Sequence, residues 1–123
     1  MSVVPYLLCS DIDAEVEWLT KAFGFTLRHR SENDEGRAVH AELAAGEGTV
    51  MLGYPGEDFR NPAAIGHPTQ MQLVTVGDVD AHYETAVAAG ARVVAELTDR
   101  DYGRSYGAAD PEGHQWYFVA GTS

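Results

Sequence analysis

A tetrapeptide that occurs twice constrains the fold of this chain more than any other feature. The segment DIDA at residues 11–14 is followed 67 positions later by DVDA at residues 78–81. Each copy opens a segment in which apolar side chains recur with helical spacing, and each segment ends at a glycine, Gly24 in the first and Gly90 in the second. The shared start, spacing and end predict one structural unit that the chain contains twice.

The first of these segments has the pattern of an amphipathic helix. Asp11 stands where an N-cap residue would, because its carboxylate can accept hydrogen bonds from the free backbone N–H groups of the first turn. The acidic residues that follow, Asp13, Glu15 and Glu17, lie off the apolar stripe. The stripe itself consists of residues three or four positions apart: Ile12, Val16, Leu19 and Phe23.

Each helix is preceded by one apolar stretch typical of a strand and followed by three more, divided by turn signals. The chain is therefore predicted to be a single α+β domain over residues 1–123 with two tandem βαβββ modules. Module 1 spans about 1–54 and module 2 about 69–120, joined by a connector at 55–68 that holds three of the five prolines. Because a four-stranded sheet with one helix leaves its other face uncovered, we expect curved mixed sheets around a cleft, with the helices outside.

Charge and hydropathy restrict the partners. The 19 acidic residues against 8 basic ones give a net charge of −11, which repels nucleic-acid phosphates and anionic lipid and attracts cations, although solubility alone also explains it. No apolar run approaches the roughly 18 to 20 residues of a membrane span, and the N-terminus lacks the pattern of a signal peptide. We expect a cytoplasmic protein that binds neither nucleic acid nor membrane.

The C-terminal segment carries the most specific motif. The sequence YGRSYGAADPEGHQWYF at residues 102–118 contains DPxGxxW, and VHAEL stands at residues 39–43. With the paired βαβββ pattern, these motifs resemble the vicinal oxygen chelate superfamily of glyoxalases, bleomycin-resistance proteins and extradiol dioxygenases, in particular its bleomycin-resistance-like and PhnB-like branch. The resemblance covers essentially the whole chain and implies a bacterial homodimer. It leaves the function open, because the same fold carries enzymes and binding proteins.

The resemblance also implies four metal-ligand positions, on the first and last strand of each module, which catalytic members fill with His, Glu or Gln. None of the residues at those positions is a useful ligand for a divalent ion. We therefore expect no metal, no other cofactor and no catalytic residue at the usual site. The four residues are Val4, Met51, Met71 and Tyr117.

Strand alternation predicts which side chains line the cleft. Aromatic and thioether groups suit a flat or bulky organic molecule, although ordinary packing is the alternative interpretation. His40 and Glu42 share one face of a strand and are candidate ligand contacts, with a solvated strand face as the alternative. Tyr102, Arg104 and Tyr106, beside the last turn, are candidates for the rim of the cleft. The predicted cleft face carries Tyr6, Leu8, Met51, Met71, Leu73 and Tyr117.

Two functions remain open on the sequence. The first is a small-molecule binding protein without metal, of the glyoxalase and bleomycin-resistance type, that sequesters a cationic or planar aromatic antibiotic. The alternative is a lyase, isomerase or dioxygenase-type enzyme of the same superfamily that uses an unrecognised or metal-free site. In either case the partners are a small organic ligand and a second copy of the chain.

Overall fold

A computed structural model describes residues 1–121, so the last two residues of the predicted domain lie outside the description. Module 1 has the predicted order, with one strand, one helix and three further strands. Its sheet has the strand order β1-β4-β3-β2, in which β1 and β4 are parallel and the other neighbours antiparallel. The elements are β1 (Tyr6–Leu8), α1 (Ile12–Phe23), β2 (Thr26–Glu32), β3 (Ala38–Ala45) and β4 (Gly48–Gly53).

Module 2 repeats this topology after a short helix, α2 (Pro62–Ile65), in the connector. Its sheet has the order β5-β8-β7-β6, again with the first and last strands parallel. The α+β class and the two mixed sheets predicted from the repeat are confirmed. The elements are β5 (Met71–Val76), α3 (Val79–Ala88), β6 (Arg92–Arg100), β7 (Gly103–Ala109) and β8 (Gln115–Ala120).

The repeated tetrapeptide forms the same cap in both modules. The Asp11 side chain accepts a hydrogen bond from the Ala14 backbone N–H at 3.1 Å, and the Asp78 side chain accepts one from Ala81 at 3.0 Å. Gly24 ends α1 with φ of 76°, a left-handed conformation that favours glycine. Each copy of the tetrapeptide therefore supplies the N-cap of its helix, so the two helices begin in the same way.

The two modules share one hydrophobic core on the side of the sheets that carries α1 and α3. Phe23, at the end of α1, lies between its own sheet and that of module 2. Its ring centroid is 5.8 Å from that of Trp116 and 4.6 Å from that of Phe118. The helices also contact each other, so each module completes its core with residues of the other. No helix within residues 1–121 has the length and apolarity that crossing a membrane requires.

Two residues that the sequence pattern placed outside the core are covered. Glu15, off the apolar stripe of α1, has no solvent exposure because the turn between β7 and β8 lies over the first turns of that helix. His82, a polar residue of α3, is half-buried, and its ring centroid lies 4.2 Å from that of Phe118. Glu15 is covered by module 2, and Phe23 of module 1 lies against the His82 ring. The periodicity of a single helix does not predict such contacts.

Candidate functional site

Each sheet has one face turned away from the helices, which we call its open face. We call the sheet of module 1 sheet 1 and that of module 2 sheet 2. In sheet 1, Tyr6 stands opposite Met51, which in turn stands opposite Glu42 on β3. Because side chains alternate along a strand, Leu8 and His40 share this side. Tyr6 keeps 51% of its surface exposed although it belongs to a strand. The open face of sheet 1 is therefore an accessible surface that combines apolar and polar groups.

The open face of sheet 2 is more apolar. Leu73 stands opposite Tyr117, and Met71 precedes Leu73 by two residues on the same side of β5. Leu73 keeps 59% of its surface exposed. Trp116 and Phe118, the chain neighbours of Tyr117, point into the core and are fully buried. The structure thus places the six side chains of the predicted cleft face on the open faces, and whether they contact a ligand stays a prediction.

The two open faces are related by the internal repeat. Tyr6 and Leu73 are 67 positions apart, and each stands opposite a residue of the last strand of its module, Met51 and Tyr117 respectively. Val4, the position suggested by counting back from Asp11, precedes β1 and is not level with Met51. A phenol and a thioether, Tyr6 and Met51, are therefore paired on sheet 1, whereas sheet 2 pairs Leu73 with Tyr117 and has Met71 at the start of β5. Within residues 1–121 there is no group of three or more His, Cys, Asp or Glu side chains that could hold a metal ion.

Two phenol rings lie against glycines on the open faces. A β-carbon at position 53 would come within 2.5 Å of the Tyr6 ring, and one at position 107 within 2.7 Å of the Tyr117 ring. Glycine at these two positions lets each ring lie close to the neighbouring strand. This arrangement leaves the opposite side of the Tyr6 ring available, and an aromatic face of this kind binds planar or cationic groups.

A small polar group extends the open face of sheet 1. The Tyr6 hydroxyl lies 3.1 Å from Nδ1 of His40, whose ring centroid is 6.2 Å from that of His29. His29 pairs with Glu42 in the register of β2 and β3, so imidazole and carboxylate groups stand beside the Tyr6 ring. His29 is exposed, and the sequence pattern did not single it out. The alternation of side chains along β2, paired with β3, is the sequence signal that could have placed His29 on the same side as Glu42.

Grooves lie along the junction of the two sheets. One of about 580 Å³ is bordered by the turn between β3 and β4 and by the middle of β5, with Val50 and Trp116 in its wall. A second, of about 260 Å³, lies between β1 and the connector and is bordered by Tyr6 and Leu8 together with Phe59. The sequence did not point to the connector as part of a site. Its proximity to β1 follows from how the modules pack.

The three predicted rim residues occupy different surroundings. Tyr106 is fully buried on the helix side of sheet 2, and its hydroxyl lies 2.6 Å from Nδ1 of His82. Arg104 points the same way and forms an ion pair with Asp80 at 2.9 Å. Tyr102 is exposed in the turn between β6 and β7. Strand alternation separates Tyr106 and Arg104 from the open faces, because Gly107 is the residue of β7 level with Tyr117.

Comparison with known proteins identifies the class. Residues 3–118 match the family model of the Glyoxalase/Bleomycin resistance protein/Dioxygenase superfamily, and the chain belongs to this superfamily. The resemblance seen in the sequence is thereby confirmed. The uncharacterised protein Rv0887c of Mycobacterium tuberculosis is 35% identical over 118 residues, which cover 91% of this chain and 69% of that protein.

Solved structures with the same fold include proteins that bind antibiotics. TioX from Micromonospora sp. ML1 is 39% identical, with a TM-score of 0.80 over 98% of both chains. TnmS3, an antibiotic binding protein from Streptomyces sp. CB03234, is 20% identical, with a TM-score of 0.72 over 99% of this chain and 98% of its own. The bleomycin-binding protein of Streptomyces verticillus, solved with copper(II)-bleomycin, is 22% identical, with a TM-score of 0.71 over 99% of this chain and 97% of its own.

Proposed function

We propose that this protein is a non-catalytic binding protein that sequesters a small organic molecule, an antibiotic with a cationic or planar aromatic group. The observation that carries the proposal is the pair of phenol rings, Tyr6 and Tyr117, held against glycines on the open faces. The thioethers of Met51 and Met71 stand beside them on the same faces. Aromatic rings and thioethers give a planar ligand apolar contact without activating it, and Met adapts to irregular shapes.

The antibiotic-binding proteins support this class of ligand. TnmS3 and the bleomycin-binding protein have the same fold as this chain over nearly its full length. Their low sequence identity transfers only the fold, so the ligand must be argued from the residues of the open faces. TioX, at 39% identity, shares the fold over 98% of both chains.

Electrostatics favours a cationic ligand. The net charge of −11 attracts cations over the whole surface. Two arginines of the surface are engaged by carboxylates, Arg30 with Asp13 at 2.8 Å and Arg104 with Asp80 at 2.9 Å. On the open face of sheet 1, Glu42 adds a carboxylate beside Tyr6 and Met51. A positively charged group on the ligand would therefore find both long-range attraction and a local partner.

The proposed binding site includes a second copy of the chain. The open faces expose large apolar side chains, Tyr6 and Leu8 on one and Met71 and Leu73 on the other. Exposed apolar patches of this kind are typical of surfaces that bind a partner or a ligand. In a two-fold dimer the face of module 1 of one copy can stand opposite that of module 2 of the other. The ligand would then lie between the wall of module 1, with Tyr6 and its polar neighbours, and the more apolar wall of module 2, with Leu73 and Tyr117.

Titration calorimetry of the purified protein at low salt tests the proposal. The probes are a bleomycin-type glycopeptide, a mitomycin-type quinone and a quinoxaline-type intercalator. We expect at least one to bind with Kd below about 100 μM and to be recovered chemically unchanged. The variant Tyr6→Ala should weaken binding at least about tenfold, whereas Val87→Ala, at an exposed position of α3, should not.

Three results would count against this function. Failure of all three probes to bind at low salt would remove the support for antibiotic capture. Conversion of a bound probe into a product, or a stoichiometric divalent metal in the untagged protein, would favour the enzymatic alternative instead. Metal analysis and mass spectrometry of the recovered probe distinguish the two outcomes.

A further inference from the structure

Three acidic side chains are buried together where α1 of module 1 meets the turn between β7 and β8 of module 2. Glu15 has no solvent exposure, and Asp110 and Glu112 keep only 5% of their surfaces exposed. The nearby thiol of Cys9 is also buried, and that burial, together with the acidic side chains around it, raises its pKa above the usual value. The charges that act on Glu15 are those of the Asp110 and Glu112 carboxylates, and a buried charge without a partner is strongly unfavourable.

Both side-chain oxygens of Asp110 accept hydrogen bonds. Its Oδ1 accepts from the backbone N–H groups of Glu112 at 3.0 Å and His114 at 2.9 Å. Its Oδ2 accepts from Nε1 of Trp116 at 2.8 Å. Three N–H donors stabilise the ionised form of a carboxylate, so Asp110 is the member of the cluster suited to carry a negative charge.

Both side-chain oxygens of Glu112 also accept hydrogen bonds, mainly from N–H groups of module 1. Its two side-chain oxygens accept from the backbone N–H groups of Ser10 and Asp11, each at 2.8 Å. Nδ2 of Asn61, in the connector, donates to it at 2.8 Å. Glu112 therefore also holds its negative charge among N–H donors, and it fixes the segment that leads from β1 into α1.

Glu15 differs from both neighbours, because neither of its side-chain oxygens has a hydrogen-bond partner within residues 1–121. Asp110 is the neighbouring side chain with which a protonated Glu15 can form a hydrogen bond. If both groups were ionised, two acceptors would face each other with no hydrogen between them. A proton on one of them supplies the missing donor.

We propose that Glu15 is protonated in the folded protein and donates a hydrogen bond to Asp110, so that one buried proton joins α1 of module 1 to the DPEG turn of module 2. The proton resides on Glu15 because Asp110 already has three donors and Glu15 has none. This inference is independent of the ligand, since the cluster lies on the helix side of the sheets.

The direction of the pKa agrees with this geometry. Burial, followed by the hydrogen bond to Asp110 and the negative charges of Asp110 and Glu112, raises the pKa of Glu15 from its usual 4.5 to about 11, although the nearby backbone N–H of Glu112 has a smaller opposing effect. The folded protein therefore keeps a proton that the unfolded chain releases above about pH 4.5. Its contribution to stability is complete below that pH and declines as the pH rises toward 11.

Denaturant unfolding of the variant Glu15→Gln across about pH 5 to pH 9 tests the proposal. Glutamine has the shape of the protonated acid and does not titrate. We expect the folding equilibrium constant of the wild type to fall relative to that of the variant by up to about tenfold per pH unit. The matched control is Glu17→Gln, which changes an exposed acid on the same helix and should leave the ratio independent of pH.

An infrared measurement on the folded protein gives a second readout that does not require the variant to fold. With ¹³C-labelled glutamate side chains, the wild type at neutral pH should show the C=O stretch of one protonated carboxyl group, and Glu17→Gln should keep it. A wild type without that band, or a ratio of folding constants that does not change with pH, would overturn the proposal.

Discussion

The phenol ring of Tyr6 lies so close to the Cα of Gly53 that a β-carbon at position 53 would come within 2.5 Å of it. The same relationship recurs in module 2 between Tyr117 and Gly107. Both glycines lie inside strands, and neither has a left-handed backbone, so turn geometry does not require them. Each glycine gives room to an aromatic ring on the open face. A substitution of either glycine therefore tests whether that ring contributes to ligand binding.

The substitution Gly53→Ala is expected to displace the Tyr6 ring and to weaken binding of whichever probe the protein captures about tenfold. Because Tyr6 is half exposed, its ring can turn toward solvent, and the free energy of unfolding should fall by less than about 1 kcal/mol. Calorimetric titration and urea unfolding measure the two effects. The matched control is Gly77→Ala, at a glycine where an added β-carbon meets nothing within 4 Å. Equal affinities for Gly53→Ala and wild type would contradict a role for the Tyr6 ring.

A charged residue on the open face of sheet 2 should prevent self-association. Leu73→Glu places a carboxylate on an exposed position of β5, so the core is not disturbed, but a partner surface would have to bury the charge. Light scattering coupled to size exclusion should show a dimer for the wild type and a monomer for the variant. Val87→Glu, at an exposed position of α3, should remain dimeric. A wild type that is monomeric at all concentrations would refute the two-fold arrangement.

Removal of the Glu112 side chain should destabilise the contact between the modules. Glu112→Ala leaves the N–H groups of Ser10, Asp11 and Asn61 without their acceptor. We expect the free energy of unfolding to fall by about 2–4 kcal/mol in urea at neutral pH. Glu47→Ala changes an exposed acid in the corresponding turn of module 1 and should have an effect within about 0.5 kcal/mol. Similar losses in the two variants would argue against the special role of Glu112.

Acidic pH should destabilise the protein through His82. Burial lowers the pKa of this imidazole below 6.5, although its hydrogen bond to the Phe23 carbonyl acts in the opposite direction. Below pH 6.5 the unfolded chain therefore gains a proton that the folded protein does not accept, and the contribution of neutral His82 is lost as the pH falls. His82→Gln should unfold with a weaker dependence on pH between about 5 and 7, and His67→Gln, an exposed control, should follow the wild type.

The repeat in the sequence was enough to predict the two βαβββ modules, because caps, apolar stripes and strand alternation are local patterns. Asp11 and Asp78 cap their helices as the tetrapeptides indicated. Alternation along β1 and β8 also predicts on which side Tyr6 and Tyr117 lie. Their role in binding is still to be measured.

Contacts between the modules could not be predicted in this way, because they depend on which surfaces meet in three dimensions. Glu15 and His82 lie on helices whose own patterns place them outside the core. The turn between β7 and β8 of module 2 covers Glu15, and Phe23 of module 1 lies against His82. Tyr106 lies near the turn that was expected to border the cleft, but the register of β7 turns it into the core. The amino-acid sequence by itself determined the repeated elements and the faces of their strands. Only the tertiary structure decided which side chains the second module buries, since burial depends on the packing of distant segments.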